Sequence, residues 1–335
     1  MRCTKLKTFV TIVVLLCLYS TAGAQFAPAA NEEGTSAIAG ASPLFVEWAS
    51  VCVVQRGPMN IANPGLGLAT AGDSTDGIGP PDFAIVSLGD GGTATVTFNH
   101  SIYNDIGFDF AVFENGFINA SNDLAFLELG FVEVSTDGIR YVRFPATSEV
   151  QDTQQLGNNG SINCSQLNNL AGKYVAGYGT PFDLQELVDS PGIDVNNINY
   201  VRIVDVVGSI DSAYGTRDHN GRLINDPWPT PFASCGFDLD AVGVINSKGA
   251  LGIKNVTDNG MSLYPNPVHQ GGNFNIQLTA DTGSIKLFNL SGQLINQWPV
   301  TGDVQTISAA TLSRGVYIIT IETAVNHLNT KLVVE

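Results

Sequence analysis

The fold class is decided by the stretch Gly89–Phe98, which reads GDGGTATVTF. Polar threonines alternate with apolar residues after a turn of glycine and aspartate, which predicts a half-buried strand entered from a hairpin. The same strand character recurs in four further runs, which are Phe108–Phe113, Leu127–Ser135, Tyr200–Val207 and Phe237–Ile245. Many short strands separated by turn residues predict an antiparallel sandwich or barrel.

A hairpin is predicted where the turn Ser135–Gly138 (STDG) joins a strand that includes Val132 to the run Arg140–Phe144. Asp-Gly between two strand-like runs is a strong local signal for such a turn. The strand, turn and strand together resemble the equivalent hairpin of discoidin-like jelly-roll modules. Because no amphipathic helix of more than two turns is evident, the predicted fold is all-β, with a body that is a jelly-roll-like antiparallel β-sandwich.

The chain is acidic, with a net charge of −16 at pH 7 over 335 residues. Removal of Arg2, Lys5 and Lys7 with a signal peptide would leave 12 basic and 31 acidic side chains, a net charge of −19. Such a surface repels phosphate groups, so nucleic acid and anionic lipid are poor partners. Divalent cations are better ones.

Residues 1–24 have the pattern of a secretory signal peptide. Two lysines precede the apolar run Phe9–Leu18, and Ala22–Ala24 supplies small residues for cleavage before Gln25. A lipoprotein signal at Cys17 is the alternative, although a bulky leucine precedes that cysteine. The apolar run is shorter than the ~20 residues of a membrane span, and no later run is long enough. The mature chain is therefore expected to lack a transmembrane span.

Five sequence blocks follow one another near the C-terminus: Leu263–Pro267, Gly271–Phe274, Ile285–Ile295, Leu312–Ile319 and Thr330–Val334. Their order resembles the type A C-terminal sorting domain of the type IX secretion system of Bacteroidota. The resemblance implies that residues 261–335 form a small immunoglobulin-like β-sandwich that the type IX translocon recognises. It further implies that the protein passes through the periplasm and is secreted or attached to the cell surface.

The rest of the mature chain divides into a flexible lead-in at 25–41, a body at 42–246 and a linker at 247–260. The body resembles a group of uncharacterised exported bacterial cell-surface proteins in four segments: Ala111–Phe117, Val201–Asp205, Asn225–Phe232 and Gly236–Val242. This resemblance implies one folded module and carries no activity.

Three cysteines, Cys52, Cys164 and Cys235, remain after removal of the signal peptide. The exported route permits one disulfide. Three pairings are open, each of which leaves one thiol over, and the sequence does not choose among them.

A structural calcium site is predicted from six oxygen-bearing residues: Asp109, Glu114, Asn115, Asp205, Asp238 and Asp240. An aspartate such as Asp205 within an apolar strand is costly to bury unless it is paired or binds a cation. Carboxylate and amide oxygens are the ligands that Ca²⁺ accepts. Asp238 and Asp240 would face the same side of a regular strand and reach one ion. The alternative is that these acids cap turns or pair with arginines, for which Arg143, Arg202, Arg217 and Arg222 are available.

A ligand-binding site is predicted in the irregular segment 209–236, which is rich in proline. Its candidate residues are Tyr214, Arg217, Asp218, His219 and Trp228. Exposed aromatic faces beside planar polar groups suit sugar rings and their hydroxyls. The alternative is that Trp228 and Phe232 fill one end of the sandwich and bind nothing.

These patterns favour a secreted or surface-attached binding or adhesion protein that binds glycan and is stabilised by calcium. A nutrient-capture protein for a small ligand at the outer membrane is the first alternative, and a deep pocket would favour it. A carbohydrate-active enzyme is the second, although the body contains no HExxH, GxSxG or phosphate-binding glycine loop. The sequence thus weighs against an enzyme without deciding the question.

Overall fold

The computed structural model describes residues 26–121, 124–249, 261–278, 283–302, 304–323 and 327–335. The predicted signal peptide at 1–24 and the greater part of the predicted linker, 250–260, lie outside these ranges. The described chain is all-β, as predicted, since its helical residues are confined to the short 3₁₀ turns Pro64–Leu66, Cys164–Gln166 and Leu184–Leu187.

The strands of the body are short and antiparallel. In chain order they are β1 (Ile38–Ala39), β2 (Glu47–Trp48), β3 (Val51–Gln55), β4 (Val86–Ser87), β5 (Thr93–Ile102), β6 (Phe110–Glu114), β7 (Phe117–Ser121), β8 (Leu124–Phe126), β9 (Gly130–Ser135), β10 (Val142–Arg143), β11 (Thr147–Ser148), β12 (Leu167–Asn168), β13 (Leu170–Ala171), β14 (Tyr178–Phe182), β15 (Ile198–Asp205) and β16 (Asp238–Val244). All five runs singled out in the sequence contain a strand.

Two six-stranded sheets form the sandwich. The first has the order β1-β14-β6-β16-β2, with β4 also paired to β16. The second has the order β10-β9-β15-β5-β3, with β13 also paired to β9. The predicted hairpin is confirmed, because β9 pairs with β10 so that Val134 lies opposite Val142.

The main core lies between the two sheets and is built from alternate residues of their central strands. Phe110 and Val112 of β6 point into it, together with Val201 and Ile203 of β15. The Phe110 ring stacks on that of Phe182, with 5.4 Å between centroids. Each fully buried apolar side chain of this size contributes about 1.5–3 kcal/mol to the stability of the fold. This packing fixes the position of the central strands.

One prediction about the deciding stretch was wrong. Strand β5 is not entered from a hairpin, because β4 belongs to the first sheet and β5 to the second. The turn Gly89–Gly92 therefore crosses between sheets, with Gly89 and Gly91 at φ +73° and +69°. A glycine-rich turn of positive φ suits a sheet crossing as well as a hairpin.

The segment 25–41 was predicted to be a flexible lead-in, and its described part is folded instead. The backbone N–H of Phe26 donates to the Ser165 carbonyl at 2.9 Å, and Ile38 pairs with Gly179 in β14. Ala29, Ala30, Ala37 and Ile38 are all buried. The small residues that looked structureless are small because they pack closely against the sandwich.

The C-terminal part forms its own two-sheet sandwich. Its strands are β17 (Met261–Tyr264), β18 (Asn273–Leu278), β19 (Gly283–Asn289), β20 (Leu294–Pro299), β21 (Val304–Ser308), β22 (Gly315–Thr323) and β23 (His327–Val334). They form one sheet in the order β17-β18-β21 and another in the order β20-β19-β22-β23. The division into three and four antiparallel strands is that of a small immunoglobulin-like domain, with a separate core around Phe274, Ile285 and Ile319.

Candidate functional site

The candidate site lies where four central strands start or stop. Strand β6 ends at Glu114 and β15 ends at Asp205, whereas β9 begins at Gly130 and β16 begins at Asp238. Antiparallel pairing sets Asp205 opposite Gly130 in one sheet and Glu114 opposite Leu239 in the other. Segment 209–236 connects β15 to β16 here, so we call this the loop end of the sandwich.

Buried carboxyl groups are concentrated at the loop end. The carboxyl cluster consists of Asp90, Glu114, Glu128, Asp205, Asp226, Asp238 and Asp240, each at most 4% exposed. None of them takes part in the salt bridges found within the described ranges. Arg56 is the cation whose charge acts on Asp238, and its guanidinium is itself bound by backbone carbonyls such as that of Ala71, at 2.9 Å.

Burial raises the pKa of every carboxyl in the cluster above its ordinary value. For Glu114 and Glu128 the pKa is raised well above that value, first by burial and then by the neighbouring charge of Asp238. Burial raises the pKa of Asp238 and of Asp240 to about 6. Near neutral pH the cluster therefore holds carboxyls that either keep a proton or need a cation.

Two members of the cluster hold loops together. Asp205 accepts hydrogen bonds from the backbone N–H groups of Gly91, at 2.8 Å, and Phe237, at 2.6 Å. It therefore joins the sheet-crossing turn to the start of β16. Asp226 accepts from the Leu129 N–H at 3.1 Å and fixes segment 209–236 to the start of β9.

Two other members carry buried oxygens without a partner. Glu114 Oε2 accepts from the Gly116 N–H at 2.7 Å, but among the residues that the structure describes Glu114 Oε1 has no hydrogen-bond partner, and neither has Asp240 Oδ2. The charge of Asp238 acts on Glu114, and its carboxylate accepts from Ser87 Oγ and from Asn115 Nδ2, the latter at 2.9 Å. Unsatisfied buried carboxylate oxygens are costly, so these atoms are suited to a cation or a proton.

The pairing of β16 changes one expectation about the metal residues. The register with β6 shifts between Leu239 and Ala241, so Asp240 sits in a bulge. A bulge re-aims a side chain and interrupts the alternation of faces. The strand pairing therefore does not place Asp238 and Asp240 on the same face of the sheet, as a regular strand would. Both charges nevertheless act on Glu114.

Asp109 is not brought to the loop end. It precedes the first residue of β6, whereas Glu114 is the last, and its carboxylate is fully engaged there. It accepts from the Leu184 N–H at 2.7 Å, from Asn246 Nδ2 at 2.7 Å and from the Asp105 N–H at 3.0 Å. Burial raises its pKa to about 7. Of the six residues predicted for calcium, the other five lie at the loop end.

An aromatic pair lies beside the carboxyl cluster. The Trp228 indole Nε1 donates to Asp90 Oδ2 at 3.0 Å, and the Tyr214 and Trp228 rings stack with 6.4 Å between centroids. Tyr214 is 36% exposed, and Trp228 is half-buried. Thr230 of the same segment donates to Glu128 Oε1 at 3.0 Å. The segment is thus anchored on the cluster while it presents aromatic surface to solvent.

The remaining predicted ligand residues have other contacts. Asp218 is buried and accepts from the backbone N–H groups of Asn220, Arg222 and Ser148. Arg217 Nη1 donates to the Gly221 carbonyl at 2.7 Å, and both Arg217 and His219 are exposed. Asp218 therefore shapes a tight turn, and its two neighbours remain available at the surface.

Three of the four arginines named as partners for the acids form ion pairs elsewhere. Arg143 and Arg202 both bind Glu133, at 2.7 and 2.5 Å, and Arg222 binds Glu149 at 2.9 Å. Turn capping does occur at Asp205. Some of the acids therefore cap turns, as the alternative to a calcium site expected. Within the described ranges, none of the carboxyl cluster pairs with these arginines.

Three members of the carboxyl cluster were not among the predicted metal residues: Asp90, Glu128 and Asp226. Glu128 was visible as an acid inside the apolar run Leu127–Ser135, the same signal that drew attention to Asp205. Asp90 and Asp226 lie in turn and proline-rich sequence, where an aspartate is ordinary. Only the fold brings them to the end of the sandwich.

Three further observations bear on ligands. Among the described residues, no three histidine, cysteine, aspartate or glutamate side chains are already arranged around one point for a metal. Cys52, Cys164 and Cys235 are all buried and are not joined to one another by a disulfide. A cavity of about 500 Å³ has no residue of segment 209–236 in its lining, which comes from the body, for example Tyr103, and from the C-terminal sandwich, for example Leu290.

Comparison with solved structures gives matches of low similarity. They include a biofilm associated protein BSP domain, which is 11% identical, has a TM-score of 0.19 and is matched over 72% of this chain and 48% of that chain. They also include PorZ, a surface component of the type IX secretion system of Porphyromonas gingivalis, which is 11% identical, has a TM-score of 0.21 and is matched over 73% of this chain and 35% of that chain. Bacteroides uniformis beta-glucuronidase 3 is a third (13%, 0.19, 73% and 27%). The chain spans about half or less of the length of each, and TM-scores this low carry no argument about the body.

No curated protein matches the chain. The described residues contain no helix with the length and apolar character to cross a membrane. The C-terminal sandwich gives the decisive comparison, because residues 262–335 match the family of secretion system C-terminal sorting domains. This agrees with the order of the five sequence blocks and with the fold of strands β17–β23. Residues 262–335 are thus a type IX secretion sorting domain, and the protein is exported by that system to the cell surface or beyond.

Proposed function

We propose that the body is a cell-surface binding module that recognises glycan at the loop end of the sandwich and is stabilised there by calcium. The observation that carries the proposal is the hydrogen bond from Trp228 Nε1 to Asp90 Oδ2, at 3.0 Å. It couples the exposed aromatic pair to the carboxyl cluster. Ligand surface and cation site would therefore be parts of one structure.

The glycan part of the proposal is supported by the surface of segment 209–236. Tyr214 and Trp228 offer stacked, partly exposed rings, and the faces of sugar rings pack well on such surfaces. Arg217 and His219 are exposed in the same segment and can donate to hydroxyls. The side-chain bonds from Trp228 to Asp90 and from Thr230 to Glu128 anchor this segment on the cluster, so little ordering is needed on binding.

The calcium part is supported by the chemistry of the cluster. Seven buried carboxyls without an arginine or lysine salt bridge are costly in the absence of a cation. Glu114 Oε1 and Asp240 Oδ2 have no hydrogen-bond partner within the described part of the chain, and the charge of Asp238 acts on Glu114. Ca²⁺ accepts six to eight oxygen ligands in flexible geometry. Glu114, Asp238 and Asp240 would hold the ion, with Glu128 beside them, once their side chains rearrange, since no three of the described acids already surround one point.

Binding is favoured over hydrolysis by the burial of the acids. A glycoside hydrolase needs two carboxyls that flank the scissile bond in a cleft. The members of the cluster are at most 4% exposed. They are suited to stabilising the module rather than to reaching a substrate.

The test is a glycan array probed with the purified protein in calcium, comparing wild type with Trp228→Ala and Tyr214→Ala. We expect array hits with the wild type and a loss of affinity of about tenfold or more, equivalent to about 1.4 kcal/mol, in Trp228→Ala. Ile139→Ala is the matched control, because Ile139 is 87% exposed in the hairpin at the opposite end of β9. Unchanged hits in Trp228→Ala would remove the aromatic pair from the binding site.

A further inference from the structure

A second candidate site surrounds Lys173, a residue that the proposed glycan surface does not use. Lys173 follows strand β13 and Gly172, whose φ of +78° turns the chain sharply. A Cβ at Gly172 would lie 2.0 Å from the Glu128 carbonyl oxygen, so only glycine permits this turn. The turn directs Lys173 into the interior, where its side chain is only 4% exposed.

The Lys173 ammonium is incompletely satisfied. It donates to the Leu167 carbonyl at 2.7 Å and lies 5.5 Å from the centroid of the Tyr174 ring and 6.0 Å from that of Phe26. An ammonium has three donors, and no carboxylate of the described residues forms a salt bridge with it. Burial lowers its pKa to about 8, which leaves it mostly charged at pH 7.

Lys173 is one of the residues that line a small cavity of about 90 Å³. A cavity of about 10–15 Å³ holds one water, so this one has room for a small ligand. Its apolar walls are formed by Ala29, Ala30, Ile118, Ala125 and Val175. No aspartate or glutamate lines it, although the chain has 31 acidic residues and a net charge of −16.

We propose that this cavity binds a small monocarboxylate, whose carboxylate accepts from the Lys173 ammonium and whose short apolar part packs against Ala29 and Ala30. The lead-in supplies the wall that makes the cavity, because Ala29 and Ala30 belong to it and are buried. Hydroxyls of Tyr174 and Tyr178 lie in the lining, bound to Ser36 and Asn31. They orient the polar side of the site.

Two physical arguments favour a carboxylate over water or a halide. A charge-assisted hydrogen bond compensates the cost of burying an ammonium better than a neutral one does. The apolar walls reward a ligand that has carbon atoms, which neither water nor chloride offers. Propionate combines the two features in a molecule of this size.

Saturation-transfer NMR with propionate on the full chain tests the proposal directly. We expect transfer to the propionate methyl group in the wild type and in Lys248→Met, since Lys248 is exposed, and its loss in Lys173→Met, which keeps the length of the side chain without the charge. Absent transfer in the wild type, or equal transfer in a folded Lys173→Met, would overturn the proposal.

A measurement on the wild type alone covers the case in which Lys173→Met does not fold. Reductive methylation at pH 8, mapped by mass spectrometry, reports the accessibility of the Lys173 amine. Propionate should slow modification of Lys173 severalfold and leave Lys248 unaffected. Equal protection by chloride, or no protection, would mean that the cavity holds an inorganic anion or only water, and either result contradicts a carboxylate site.

Discussion

Glu114 shows how a single side chain at the loop end departs from ordinary behaviour. It is the last residue of β6 and is paired opposite Leu239, so it is directed into the sandwich where the core ends. Its Oε2 atom accepts from the Gly116 N–H. Its Oε1 atom has no hydrogen-bond partner among the described residues. Burial and the charge of Asp238 raise its pKa well above the usual value. Folding without a cation therefore favours the protonated form of this carboxyl.

The stability of the calcium-free protein should consequently fall as the pH rises. A carboxyl whose pKa is higher in the folded than in the unfolded state contributes fully below the unfolded pKa and loses its contribution as the pH passes the folded pKa. For Asp238 this window runs from its ordinary value of 3.8 to about 6, and the loss is about 3 kcal/mol at 1.36 kcal/mol per pKa unit. Asp240 acts in the same window.

Urea unfolding in EDTA at a series of pH values measures this dependence. We expect the free energy of unfolding to decrease between about pH 4 and pH 7, and to stay level in calcium, because a bound cation stabilises the ionised carboxylates. Stability that increases over this interval in EDTA would contradict the account of the carboxyl cluster.

Glu114→Gln separates the contribution of one carboxyl. Glutamine resembles the protonated acid, and burial raises the pKa of the Glu114 carboxyl, so the variant should be more stable than the wild type in EDTA at pH 7.5 and should respond less to calcium. Glu33→Gln is the control, since Glu33 is exposed. Melting curves with and without calcium measure both effects. Destabilisation of Glu114→Gln in EDTA would show that Glu114 Oε1, too, has a partner in the wild type.

At the scale of elements, the loop end depends on connections that carry no regular structure. Gly236 lies just before β16 at φ +67°, and a Cβ there would be 2.6 Å from Asp205 Oδ1. Asp205 in turn accepts from the Gly91 N–H of the sheet-crossing turn. The tight approach of these two connections therefore requires both a glycine and an aspartate.

Gly236→Ala should destabilise the protein more than Gly79→Ala. Gly79 also has a positive φ, +81°, but nothing lies within 4 Å of its added Cβ. In both variants the left-handed backbone conformation of alanine lowers the free energy of unfolding by about 1 kcal/mol. Only Gly236→Ala also displaces the Asp205 carboxylate, which lowers it by about 1–3 kcal/mol more. Chemical denaturation measures the free energy of unfolding of both variants. Equal decreases would mean that Gly236 and Asp205 are not packed closely enough for an added Cβ to displace the carboxylate.

The elements themselves were predictable because they are local. Alternation in Thr93–Phe98 and the Asp-Gly turn before Arg140 each depend on a few neighbouring residues, and both appear as strand and hairpin. The connection into β5 and the packing of Phe26–Gly40 were not predictable, because they depend on which sheet a segment joins. The same limit hid Asp90 and Asp226, which are distant in sequence from the other acids and adjacent to them only in the fold, whereas Glu128 could have been found as an acid within an apolar run.

At the scale of the whole molecule, the export signal and the proposed binding site belong to different sandwiches. Residues 262–335 form the sorting domain and have their own core. The carboxyl cluster and the aromatic pair lie entirely in the body. A body that reaches the cell exterior meets calcium there, and a cation would complete the loop end once the protein has left the cell.

The most direct test of this account is a thermal melt of the purified protein at pH 7.5 in calcium and in EDTA. Binding of an ion to the folded state alone adds about 2.7 kcal/mol at a concentration of 100 times Kd, which corresponds to a rise in Tm of about 5 °C or more for a body of this size. The account predicts such a rise in the transition of the body, with that of the sorting domain unchanged. Identical melts in calcium and EDTA would contradict it.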